Sequence, residues 1–118
     1  MAKPEKCISV TEARQLHDNW VTTRAREIQR LQGFNDTRDF TFSLSDLEEY
    51  VQYVKEESVK QGVANPGIRI YFAAYDSAKS DRATVFLAPT LGVEEGADNN
   101  YEIDPLNRGN GGWPPNSY

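Results

Sequence analysis

Soft metal ligands are nearly missing from this chain, which has one cysteine, Cys7, and one histidine, His17. A single cysteine excludes an intramolecular disulfide, and the two residues together cannot supply a Cys/His zinc cluster or an iron–sulfur site. Long apolar runs are also absent. No stretch reaches about 18 apolar residues, so no membrane-spanning helix is expected. The opening Met1-Ala2-Lys3-Pro4-Glu5-Lys6 has no apolar core behind it, so no secretory signal is expected and the default reading is cytoplasmic. Basic charge is in the minority: 13 Lys and Arg face 18 Asp and Glu, a net charge of -5, which denies the chain the electrostatic footprint of a nucleic-acid binder. Phosphate-cradling loops are missing too. Gly109-x-Gly111-Gly112 lacks the preceding strand and following helix that such a loop needs, and no nucleotide or other cofactor is expected.

Against these absences stand 13 aromatic residues in 118, too many for a disordered chain of this charge. A chain of this length can bury roughly 65% of its unfolded surface and needs no staple, so a single domain is expected.

Ser9 with Glu12 three residues on has capping-box spacing, and Gly33 offers a helix-ending left-handed conformation. The spacing predicts one helix over 10–32, with Ala13, Leu16, Trp20, Ile28 and Leu31 on its packed face. A second box, Ser43 with Asp46, is reinforced by Phe42 and Leu47 at staple positions. A second helix is therefore predicted over 44–61, closed by Gly62, with Leu44, Leu47, Val51, Val54 and Ser58 as its stripe and Tyr50 beside it. After the Asn65-Pro66-Gly67 turn the period changes to two. Ile68, Ile70, Phe72 and Ala74 face one way, and Arg69, Tyr71, Ala73 and Tyr75 the other. The polar stretch from Asp76 to Arg82 is too short for a parallel crossover, so strands 68–75 and 83–88 should form an antiparallel hairpin with Ile70, Phe72, Val85 and Leu87 toward the core. Pro89, which has no N–H, is read as the end of the second strand. Residues 39–42 and 101–104 are candidate edge strands.

The expected fold is α+β: two helices packed on one face of a small antiparallel sheet, as a single domain over 1–106. The composition then shifts. Residues 91–118 hold Glu94, Glu95, Asp98, Glu102 and Asp104 against Arg108 alone, and the last positions are rich in Gly, Asn and Pro. Residues 107–118 read as an irregular, extended or mobile tail. Trp113 in that tail either folds back on the domain or anchors a partner; the stiffness of Pro114-Pro115 after the ring favours fold-back.

The segments Phe42-Ser43-Leu44-Ser45-Asp46-Leu47-Glu48-Glu49-Tyr50, Gly67-Ile68-Arg69-Ile70-Tyr71-Phe72-Ala73-Ala74-Tyr75 and Thr84-Val85-Phe86-Leu87-Ala88-Pro89-Thr90 resemble those of a group of small bacterial α+β proteins of uncharacterised function. These run helix, helix, hairpin and a Gly/Pro-containing end. The resemblance implies a bacterial source and this architecture, and it lends no catalytic residue.

The residues suited to chemistry have plainer readings. Asp18 follows His17 directly and diverges from it by ~100° around a helix, so it is no partner for a proton relay. Cys7 precedes a helix start but adjoins Ile8, which favours packing. Glu48, Glu49, Glu56 and Glu57 lie on a solvated helix face rather than across a cleft, as glycoside hydrolysis requires. Glu94, Glu95 and Asp98, with Asn99 and Asn100, offer oxygen ligands but lack the ordered spacing and turn glycine of a calcium loop. No catalytic residue and no metal ligand is assigned. Arg69, Tyr71 and Tyr75 on one strand face, with Arg108 and Trp113 in the tail, are the candidate binding residues. The sequence favours a non-enzymatic cytoplasmic binding or protein-interaction domain with a protein partner. The alternative is a small-molecule-binding or enzymatic domain whose pocket lies between the sheet and the first helix. An exposed apolar patch would support the first, and a concave pocket with converging polar groups the second.

Overall fold

The computed structural model describes residues 2–113, 115, 117 and 118. Capping decides where both helical segments begin. The Ser9 hydroxyl accepts the Glu12 backbone N–H at 3.0 Å, and α1 (Val10–Trp20) starts there. A π-helical turn (Val21–Ala25) carries the chain into α2 (Arg26–Gln32), and Gly33 at φ 83° ends the run. At that turn the Thr22 and Thr23 hydroxyls donate to the carbonyls of Asp18 and Asn19, local competition of the kind that bends helices. The half-buried side of the run is Ala13, His17, Trp20, Val21, Ala25 and Ile28. Leu16 and Leu31, expected on that side, are exposed. A stripe through 13, 17, 20 and 28 leaves Leu16 ~100° from His17 and Leu31 beyond the edge. No residue of the helical run is fully buried.

Ser43 caps α3 (Leu44–Lys60) through the Asp46 N–H at 3.0 Å, and Phe42 and Leu47 both pack on the core from either side of that start. Ser43→Ala is expected to cost about 1 kcal/mol, read from the urea midpoint, because the amide loses its acceptor. An unchanged midpoint would show that the cap contributes nothing. The buried stripe of α3 is Tyr50, Val54 and Ser58. Leu44 and Val51, expected in it, are exposed. The i, i+4, i+8 row through Tyr50 meets the sheet, and the neighbouring row falls on the flank.

The hairpin forms as expected. Strand β2 (Gly67–Ala74) pairs antiparallel with β3 (Ala83–Thr90), Ile70 opposite Leu87 and Phe72 opposite Val85. β3 runs through Pro89 rather than ending before it. The missing N–H would point away from β2, and the Pro89 carbonyl on that side accepts the Asn100 N–H at 2.9 Å. Residues 39–42 and 101–104 do not extend this sheet. A short β1 (Phe40–Thr41) pairs instead with β4 (Asn110–Gly111), and 101–104 is a turn between bridges from Asn99 to Thr90 and from Leu106 to Leu87. Asp36 ties the approach to β1 against β3, its Oδ1 accepting the Ala83 N–H at 2.9 Å.

The core is Tyr50, Val54, Leu87 and Ile103, with Phe42, Leu47 and Leu106 packed against it. It lies under α3, over β3 and the 99–106 segment. β2 is left out. Ile70 is 64% exposed and Phe72 84%, although their cross-strand neighbours Leu87 and Val85 are buried on the same face. The expectation that all four point to the core is thus corrected: the register is as read, but the helix covers only one strand. Phe72→Ala is accordingly expected to change stability by less than about 1 kcal/mol in dilute solution, instead of the about 3–5 kcal/mol of a buried phenylalanine. A loss in the larger range would place Phe72 in the core after all.

Tyr50 joins helix to sheet. Its hydroxyl donates to Asp104 O at 2.8 Å and to Leu87 O at 3.2 Å. Burial, then the charges of Tyr53 and Asp104, push its pKa up to about 12. A phenol raised above its unfolded value near 10 stabilises the fold fully below that pH and loses the contribution as pH rises toward about 12. Tyr50→Phe should remove that part of the alkaline decline in stability, as followed by circular dichroism. An identical alkaline limb in the variant would contradict it.

Candidate functional site

Two cavities and one open surface compete. Period-two alternation puts Arg69 and Tyr71 on the sheet face opposite Ile70, beside Phe86 of β3. Tyr71 stacks on Phe86 at 5.1 Å between ring centroids. Arg69 reaches the loop after β3, its Nη1 donating to Asn99 Oδ1 at 2.7 Å and its Nη2 to Ala97 O at 2.9 Å. Asn99 Nδ2 in turn donates to the Tyr71 hydroxyl at 2.7 Å. The Asn99 hydrogen bond first, and the Arg69 guanidinium second, hold the Tyr71 pKa below its ordinary value. Beside this network lies a cavity of about 320 Å³ lined by Tyr71, Phe86, Ala88, Tyr101, Ile103 and Pro105. Its singled-out polar groups are spent on one another. They pin the loop to the sheet rather than converge on a vacant point, so the arrangement offers an apolar shelf with two phenols, Tyr71 and Tyr101, both reached by the Asn99 amide.

The cavity between the sheet and the helical run has about 330 Å³ and is walled by His17, Trp20, Ile28, Phe40, Phe72 and Thr84. Arg69, Tyr71 and Tyr75 do not line it. The Nε2 of His17 and the Nε of Arg38 are buried there without a hydrogen-bond partner. Among the described residues no nucleophile is hydrogen-bonded to either atom. Among the described residues no three His, Cys, Asp or Glu side chains stand together as a metal site. Cys7 is exposed.

The five candidate binding residues are dispersed. Arg69 and Tyr71 share one network. Tyr75 leaves the strand and donates from its hydroxyl to Asn107 Oδ1 at 3.1 Å. Arg108 is exposed elsewhere. Trp113 lies against the domain, with the Arg82 guanidinium 3.7 Å from its ring centroid and Phe34 edge-on at 6.3 Å. Pro114, expected to stiffen the chain after it, lies outside the described residues.

The open surface is the apolar face of β2, where Ile68, Ile70 and Phe72 stand in solvent with Trp20 6.1 Å from Phe72 between ring centroids. The exposed side chains of Val51 and Val59 on α3 add to the uncovered apolar surface. Alternation alone reads such a strand as core, because an interface face and a core face carry the same pattern. That is why the sequence reading passed over these residues as a site. No family model, curated protein or solved structure matches this chain. Its geometry therefore carries the functional reading.

Proposed function

We propose that this chain is a non-enzymatic protein-interaction domain of the bacterial cytoplasm that binds through the apolar face of β2. The supporting observation is the exposure of Ile70 and Phe72 directly opposite buried Leu87 and Val85. Contiguous large apolar side chains held in solvent on a rigid strand are a feature of binding surfaces. The absence of a long apolar helix among the described residues is compatible with this reading and says nothing further about location. The resemblance to small bacterial proteins supports the assignment of source.

The competing reading is a small-molecule site at the Tyr71–Phe86 shelf. The two separate in one experiment, cross-linking in the native cell followed by identification of what is captured. Phe72→Asp should abolish specific protein capture while the fold persists, and Tyr71→Ala should leave it unchanged. Capture indifferent to Phe72→Asp, together with a co-purifying small molecule lost from Tyr71→Ala, would establish the pocket instead.

A further inference from the structure

We propose that the partner of this surface is a second copy of the chain, joined edge to edge through β2 about a two-fold axis into a four-stranded antiparallel sheet. The inference rests on the interaction reading above and names its occupant.

Hydrogen bonds fix which way the β2 backbone points. Leu87 exchanges bonds of 2.8 and 2.9 Å with Leu106, Pro89 O accepts from Asn100 N–H at 2.9 Å, and Val85 O accepts from the Asn107 side-chain amide at 2.9 Å. All three β3 residues thus turn their backbone away from β2. In an antiparallel ladder their opposites, Ile70, Ile68 and Phe72, then turn theirs away from β3. These N–H and C=O groups line an outer edge that no other described strand pairs with.

Edge strands that must stay single are blunted by proline, bulges or charge. β2 has none of these devices. Its register is unbroken from Gly67 to Ala74, and its one charged side chain, Arg69, is on the other face and committed to the 97–99 loop. Two such strands can meet without opposing like charges on the apolar face, even though each chain carries a net charge of -5. Antiparallel pairing about an axis perpendicular to the sheet through Tyr71 sets Ile70 opposite the partner's Phe72 and Ile68 opposite the partner's Ala74. It uses the whole strand and keeps Pro66, which has no N–H to donate, out of the ladder. Trp20, in ring contact with Phe72, comes to the seam with it.

Area argues for a second copy of this size. A compact chain of 13.4 kDa exposes about 6,500 Å². This one exposes 9235 Å², an excess of about 2,700 Å². Its radius of gyration is 16.6 Å, against about 13.5 Å for a compact domain of 118 residues. Obligate homodimers remove about 1,000–2,500 Å² or more from each protomer. The surplus surface therefore has the size of such an interface, and a helical run with no buried residue is its natural further contributor.

Sedimentation velocity on the purified full chain at micromolar concentration tests this. The expected species has twice the 13.4 kDa chain mass. The double variant Ile70→Lys, Phe72→Lys sets lysines against one another across the axis and should weaken association on the order of 100-fold. Far-ultraviolet circular dichroism should be retained, since both positions are exposed in the single chain. Val59→Lys, exposed but off the edge, should leave the dimer intact. As a second measurement, the melting temperature of the unmodified chain should rise with protein concentration. A dimer unaffected by the double variant overturns the edge placement. A monomer with a concentration-independent melting temperature overturns self-pairing; Phe72-dependent capture of a different protein would then preserve the interaction reading, and its absence would overturn both.

Discussion

Tyr50→Ala is expected to lower the unfolding free energy by about 3–5 kcal/mol, the range for removing a large aromatic from a core. The side chain sits among Val54, Leu87 and Ile103 and is the only described residue that hydrogen-bonds from α3 to both β3 and the 99–106 segment. Its truncation opens a cavity at the junction and strips Asp104 O of its donor. Since a domain of this size has about 5–15 kcal/mol in total, the variant should be close to unfolding at physiological temperature. Urea titration followed by tryptophan fluorescence gives the number. A loss under about 1 kcal/mol would mean that α3 is not anchored through Tyr50. Comparison with Tyr50→Phe, which keeps the ring and should lose about 0.5–1.5 kcal/mol, separates packing from hydrogen bonding.

Ile103→Ala should cost about 2–5 kcal/mol. Ile103 is 2% exposed and comes from a turn rather than a regular element. It packs with Tyr50 and Val54 of α3 and Leu87 of β3 in the core. Its loss should also loosen the bridges at Leu106 and Asn99, so hydrogen exchange should accelerate at the Asn100 and Leu106 amides before it does so in β2. A uniform change across the chain would indicate global unfolding alone and count against a local role for the turn.

Several features were legible in the residues because they depend on neighbours in sequence. Ser9 and Ser43 announce helix starts through hydroxyls that reach amides three positions on. Gly33 and Gly62, both at positive φ, follow the helices at the places expected. The period-two alternation of 68–75 and the short polar link before 83 pointed to an antiparallel hairpin, which forms with Ile70 beside Leu87. Arg69 and Tyr71 were singled out as neighbours on one strand face, and they do share a network, but its central member, Asn99, is 28 residues from Tyr71 and stood out in the sequence only as an oxygen ligand beside Asp98.

The α+β class, the helix starts and the pairing of the hairpin thus follow from local stereochemistry. Which apolar face is covered depends instead on contacts between segments far apart in the chain. Periodicity states that Ile70, Phe72, Leu87 and Val85 share a side, but burial depends on where a separate element comes to rest. α3 settles over β3 and the turn containing Ile103, because Tyr50 finds its carbonyl acceptors there. The same choice leaves Ile68, Ile70 and Phe72 uncovered, and with them the edge of β2. Likewise β1 meets β4 across some seventy residues of chain, a pairing no local pattern encodes, since the free energy of a long-range contact depends on the whole fold that brings its two sides together.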